Sequence, residues 1–208
     1  MKNAILIISG LVILISACDS SDRQAAATDT MAINMEQTAI SVPMNKAELE
    51  EIAKEAIQSL GSTLKNELEA AMKSGGPVNA MEVCNVKAPV IAEEISWEQD
   101  VQVSRTSLKY RNPDNAPNEW QTAVLEDFEE KKAAGADPAT LVYSEIVNDE
   151  FRFMKAIPTA GLCLACHGTD ISLEVTAELT RLYPQDKATG FKEGDLRGAF
   201  VVVKNVVE

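Results

Sequence analysis

Near the C-terminal end, Gly161 to Gly168 reads GLCLACHG, which places Cys163, Cys166 and His167 within five positions. Two thiols at this spacing can reach the two vinyl groups on one edge of a porphyrin and bond to them as thioethers. The adjacent imidazole is then held beneath the iron as its proximal ligand. The protein has 208 residues, four cysteines and one histidine, and that histidine is His167. From this composition alone the string Cys-x-x-Cys-His arises by chance in about four of every ten thousand such chains.

Three other chemistries use the same residues. A disulfide between Cys163 and Cys166 would leave His167 without a role. A thioredoxin-type redox pair belongs beside a βαβ pattern, which the sequence lacks. Cys84, Cys163, Cys166 and His167 could also form a Cys₃His zinc set, although neighbours such as Cys166 and His167 must bend back to reach one tetrahedral ion.

If iron is bound at His167, no second histidine exists for its other face. Methionine, the remaining thiol, a lysine or an open position are left. Met31, Met35 and Met44 fall in a segment read below as a tether. Met72, Met81 and Met154 fall in ordered segments, where core packing is the ordinary use of methionine. Cysteine bookkeeping adds a constraint. With Cys18 assigned to lipid and Cys163 and Cys166 to haem, Cys84 stays unpaired in an oxidising compartment. Cys84 is then either a small buried apolar residue or a thiol protected by coordination.

The ends of the chain indicate where it works. Residues 1–17 combine Met1-Lys2-Asn3 with the apolar run Ala4 to Ala17, the length of a secretory signal core and short for a membrane span. Ile15-Ser16-Ala17-Cys18 resembles a bacterial lipobox, which predicts cleavage before Cys18 and a diacylglyceryl group on its thiol. Asp19 resembles an inner-membrane retention signal. Residues 18–44 are small and polar and read as a lipid anchor and flexible tether. Residues 45–208 form one domain's length of chain. The expected location is therefore the periplasm, with the inner membrane reached through the lipid. A net charge of −13 argues against a nucleic-acid partner and suits a redox partner protein with a basic docking surface.

The domain reads as α+β. Asn45 and Glu48 mark a helix start, and apolar residues from Leu49 to Met72 recur every three or four positions until Gly75-Gly76-Pro77. A second helical pattern runs from Val78 toward Ile95, with a kink expected just after Cys84 because Pro89 removes a donor and crowds the carbonyl of Asn85. Val101 to Tyr110 alternates like a strand. Trp120, Val124 and Phe128 mark a helix ending at Gly135. Leu141 to Val147 and Phe151 to Ile157 bracket a hairpin turn at Asn148-Asp149-Glu150. Leu173 to Tyr183 is helical, and Gly198 to Val207 closes the chain as a strand.

Several of these stretches together resemble a family. They are Met81 to Pro89, Arg105 to Trp120, Cys163 to Gly168, Leu182 to Gly190 and Gly194 to Gly198. Their order is that of a PAS-like, single-haem c-type cytochrome family long catalogued as a domain of unknown function. The resemblance covers roughly 75 to 205. It implies a PAS-like antiparallel sheet with flanking helices, one covalent haem c, His167 as proximal ligand and Cys84 as distal ligand. Arg105 and Arg111 are candidate propionate contacts, since a guanidinium matches a carboxylate; Lys109 is a weaker one. A solvated strand edge or an internal ion pair is the more ordinary use of any one of them. The reading that follows is a membrane-anchored monohaem cytochrome for electron transfer at low potential, not an enzyme, because no acid/base pair lies near the motif. The alternative is a haem-based redox or gas sensor acting through a partner protein.

Overall fold

Asn45 opens the first element. Its side chain accepts hydrogen bonds from the backbone N–H groups of Ala47 and Glu48, and its own N–H donates to the Glu48 carboxylate. This capping box satisfies donors that a helix start would leave unpaired. The computed structural model describes residues 44–206, so the signal segment, Cys18 and the tether up to residue 43 lie outside the described residues. The described residues belong to one compact unit, Ser41–Glu208.

Helix α1 spans Lys46–Glu82 and buries Leu49, Ala53, Ala56, Ile57, Leu60 and Leu64 along one stripe. The stop expected at Gly75-Gly76-Pro77 is a local break. Gly76 takes φ 71°, ψ −168°, which glycine reaches without a Cβ clash, and the helix then resumes to Glu82. The disturbance expected just after Cys84 is also present, as a widened turn rather than a kink. Val83–Lys87 forms a π turn in which the Ala88 N–H donates to the Val83 carbonyl, a five-residue step. The widened turn absorbs the strain where Pro89 offers no N–H and its ring crowds the Asn85 carbonyl. Helix α2 follows as Ala88–Glu98.

The sheet has four antiparallel strands, β1 (Gln102–Thr106), β2 (Val142–Val147), β3 (Glu150–Pro158) and β4 (Leu196–Asn205), in the order β1-β4-β3-β2. Asn148 and Asp149 link β2 to β3 with φ of 49° and 61°, the paired positive values of a two-residue hairpin turn that these residue types tolerate. Strand β1 is shorter than its alternation predicts. After Thr106, Ser107 donates its hydroxyl to the Arg197 carbonyl and accepts from the Lys109 N–H, which turns the chain out of the ladder. Gly198 lets this happen: a Cβ there would lie 2.3 Å from the Thr106 carbonyl oxygen.

Helices cover both faces. Val103, Phe151, Phe153 and Val202 point toward α1 and α2, and Met154, Ala156, Ala199 and Val201 toward the helix α3, Glu119–Ala133. Burying one such aromatic contributes roughly 2–3 kcal/mol through apolar surface removed from water. The short α4 (Leu164–His167) and then α5 (Leu173–Leu182) complete the fold. This is the expected α+β architecture with a long N-terminal helix and flanking helices on an antiparallel sheet. Among the described residues no helix is long and apolar enough to cross a membrane.

Candidate functional site

Cys163 ends a single 3₁₀ turn, Gly161–Cys163, and α4 then carries Cys166 and His167. Three backbone contacts fasten this segment. The Phe191 N–H donates to the His167 carbonyl at 2.9 Å and the Gly190 N–H to the Gly168 carbonyl at 2.8 Å. Arg111 Nη2 donates to the Cys166 carbonyl at 2.6 Å.

The imidazole is held by its own hydrogen bond. Nδ1 of His167 lies 2.7 Å from the Ala188 carbonyl oxygen. A carbonyl only accepts, so Nδ1 carries the proton and Nε2 keeps a bare lone pair, the arrangement that outer-shell partners impose on metal-bound histidines. Burial, and then the charges of Arg197 and Arg111, hold the ring well below the ordinary imidazole value against the pull of that carbonyl. The ring is therefore neutral at neutral pH. The edge of His167 meets Phe191, with centroids 6.3 Å apart and planes at 87°.

A cavity of about 230 Å³ opens beside it. Its lining includes Cys84, Arg105, Arg111, Cys163, Cys166 and His167, but not Lys109. Leu68, Met72, Met81 and Ile157 make much of the remaining wall apolar. Cys84 rides on the π turn with its side chain exposed, so the reading of it as a small buried core residue does not hold. Met72 and Met81 share the cavity wall with it. Met154 is fully buried on the opposite sheet face among Val124, Leu125 and Phe128.

The competing chemistries are not assembled. Cys84, Cys163 and Cys166 are free thiols, so no disulfide joins Cys163 to Cys166. Among the described residues no three His, Cys, Asp or Glu side chains gather closely enough to hold a metal ion, which leaves the zinc set unformed. Burial pushes the Cys166 thiol up, so it remains protonated.

The arginines separate into two kinds. Arg111 is buried and committed: it pairs with Asp186 at 3.1 Å and donates to the carbonyls of Cys166 and Ala188. Its use fits the internal ion-pair alternative rather than that of a free propionate contact. Arg105 has no hydrogen-bond or carboxylate partner among the described residues, and burial lowers its pKa while nearby Cys84 pulls it back up. Arg197, which sequence reasoning did not single out, makes only a 3.3 Å bond to the Lys109 carbonyl and stacks 5.2 Å from the Phe191 ring centroid. Burial, then Arg111 and Arg105, bring it down to about 10. Lys109 is committed elsewhere, donating to the Thr189 carbonyl above Phe191. The clue to Arg197 was an arginine between Leu196 and Gly198 at the mouth of an apolar strand. Two guanidiniums without carboxylates, facing an apolar cavity, are costly unless an anion joins them.

The family model "Tll0287-like: Tll0287" matches residues 23–204. The chain belongs to the Tll0287-like family. Among solved structures it is similar to the cyanobacterial heme-protein Tll0287, at a TM-score of 0.61 and 24% identity over 79% of this chain and 99% of that one. At that identity the likeness establishes a shared fold. No curated protein matches this chain. The matched range of the Tll0287-like family takes in both the π turn and the Cys-x-x-Cys-His segment, the two pieces that border the cavity.

Proposed function

We propose that this member of the Tll0287-like family is a monohaem c-type cytochrome that carries electrons in the periplasm, tethered to the inner membrane by lipid on Cys18. One observation carries the reading. Cys163, Cys166, His167 with its bare Nε2, and Cys84 border a single cavity together with the guanidiniums of Arg105 and Arg197, neither of which has a carboxylate partner among the described residues.

The residues fit a haem. Cys163 and Cys166 would hold it covalently, His167 would ligate the iron, and Cys84 would supply a second, sulfur ligand. Arg105 and Arg197 would neutralise the two propionates, and Leu68, Met72 and Ile157 would keep water from the ring. When bound, the haem supplies a one-electron ferric/ferrous couple. The protein's contribution is attachment, orientation and electrostatics. The similar solved structure is that of a heme-protein, which supports the same cofactor here. The chain's negative charge supports a partner with a basic docking surface.

Protein produced with export and a working cytochrome-maturation system is expected to be coloured. Its peptide 161–168 should gain the mass of one haem, and its mature N-terminus should be a lipid-modified Cys18. Replacing both Cys163 and Cys166 with alanine should abolish the gain. Colourless wild-type protein, or an unmodified 161–168 peptide, sinks the proposal.

A haem sensor is the second reading, and the π turn favours it. Cys84 sits on a widened turn with its side chain exposed, the kind of segment that relaxes at small cost. Fast CO binding to the reduced protein, with altered proteolysis around Val83–Lys87, would support the sensor; inertness to CO supports the carrier.

A further inference from the structure

The Ala188 carbonyl accepts two hydrogen bonds: one from Nδ1 of His167 at 2.7 Å and one from Nη2 of Arg111 at 3.2 Å. The N–H of the same residue donates to Asp186 Oδ1 at 2.7 Å, while Asp186 Oδ2 pairs with Arg111 through Nε at 3.2 Å and Nη2 at 3.1 Å. The Arg111–Asp186 pair therefore grips both polar ends of residue 188, which is wholly buried. The same Nη2 reaches the carbonyl of Cys166, the residue before the histidine. One buried guanidinium thus touches the anchor of the ring and the chain segment that carries it.

We infer that Arg111 is a positioning residue for His167, setting through the shared Ala188 carbonyl how strongly the imidazole donates to a bound iron. The inference rests on the haem reading above. A cation bonded to a carbonyl draws electron density from its oxygen and leaves it a poorer acceptor for a second donor. Nδ1–H then stays closer to its own nitrogen, the ring has less imidazolate character, and Nε2 is a weaker donor. Outer-shell partners tune metal-bound histidines in this way, and a weaker donor favours the ferrous state. Asp186 opposes the effect by taking up part of the guanidinium's charge. A residue that merely filled space would leave the ring's electronic state alone.

The chain's single histidine makes the test clean, because ¹⁵N-histidine labelling of the full-length, haem-loaded protein reports only His167. Arg111→Met is expected to move the Nδ1 proton resonance downfield and to lower the midpoint potential. Arg111→Lys keeps a positive charge but loses the fork, and its Nδ1 resonance should follow Arg111→Met. Asp186→Asn should shift both readouts the opposite way, and it decides the matter if Arg111→Met does not fold. An unmoved Nδ1 resonance in Arg111→Met overturns the inference even if the potential falls, since charge alone would then account for it. A wild-type Nδ1 signal in Arg111→Lys or in Asp186→Asn overturns it as well. Wild-type protein found without haem defeats the proposed function instead, and the Nδ1 comparison on the folded chain still decides this inference.

Discussion

Replacing Cys84 with serine is expected to raise the midpoint potential on the order of 100 mV, a modest part of the ~0.8 V over which axial ligands move haem potentials, and to change the ferric absorption spectrum. A thiolate is an anionic donor that stabilises ferric over ferrous iron, and a serine hydroxyl at neutral pH is neither anionic nor as strong a donor. Arg105 and Cys84 border the same cavity, so an iron-bound anionic sulfur there would face a guanidinium that has no carboxylate partner among the described residues. Met72 and Met81 line the same cavity and are the competing ligands. Met72→Leu should therefore leave both spectrum and potential nearly unchanged. A Cys84→Ser protein identical to wild type, with Met72→Leu altered, would transfer the ligand role to Met72.

The second large effect concerns Arg105 and Arg197. Changing both to leucine should stabilise the haem-free chain, made without export, while reducing the fraction of exported chain that retains haem. Arg197 is depressed to about 10 chiefly by burial, and a depressed base is one whose charged form the fold disfavours. Its charge therefore costs stability at neutral pH. That cost vanishes only as the pH rises past the depressed value, where the folded protein releases the proton. Water entering the open cavity screens part of this cost, which leaves about 1–2 kcal/mol to be recovered at Arg197, and burial of Arg105 acts in the same direction. Together these predict a rise of several degrees in the haem-free melting temperature. The loaded protein loses its counter-charges for two propionates and should release or fail to retain haem. A haem-free melting temperature that falls would show that the arginines stabilise the fold without a guest, and the argument that they await an anion would fail.

Features written over a few neighbouring residues were legible in the sequence. The Asn45/Glu48 cap and the Asn148-Asp149 turn each need only local chain, and each formed as expected; the Cys163–His167 spacing is likewise written in adjacent residues. The break at Gly76 and the disturbance near Cys84 were legible too. Their form was not, because a proline clash can be relieved by a kink or by a π turn, and packing chooses between them. Strand β1 stopped early for a similar reason: its alternation runs on to Tyr110, but Ser107 finds a partner in Arg197, a residue the sequence places ninety positions away.

The arginines mark the boundary most plainly. Arg105, Arg111 and Arg197 are chemically identical, and no local pattern distinguishes them. Folding brings Asp186 and the carbonyls of Cys166 and Ala188 to Arg111, but among the described residues it brings no carboxylate within ion-pair distance of the other two. The Ala188 carbonyl that orients His167 is a backbone atom and leaves no trace in residue type. Composition and spacing alone placed the one imidazole directly behind two thiols and left Cys84 outside that segment. Only the tertiary structure decided that the leftover thiol faces the same cavity, which arginines remain uncompensated there, and which nitrogen of His167 is bare, because charge balance and hydrogen-bond direction depend on distances between segments remote in the chain.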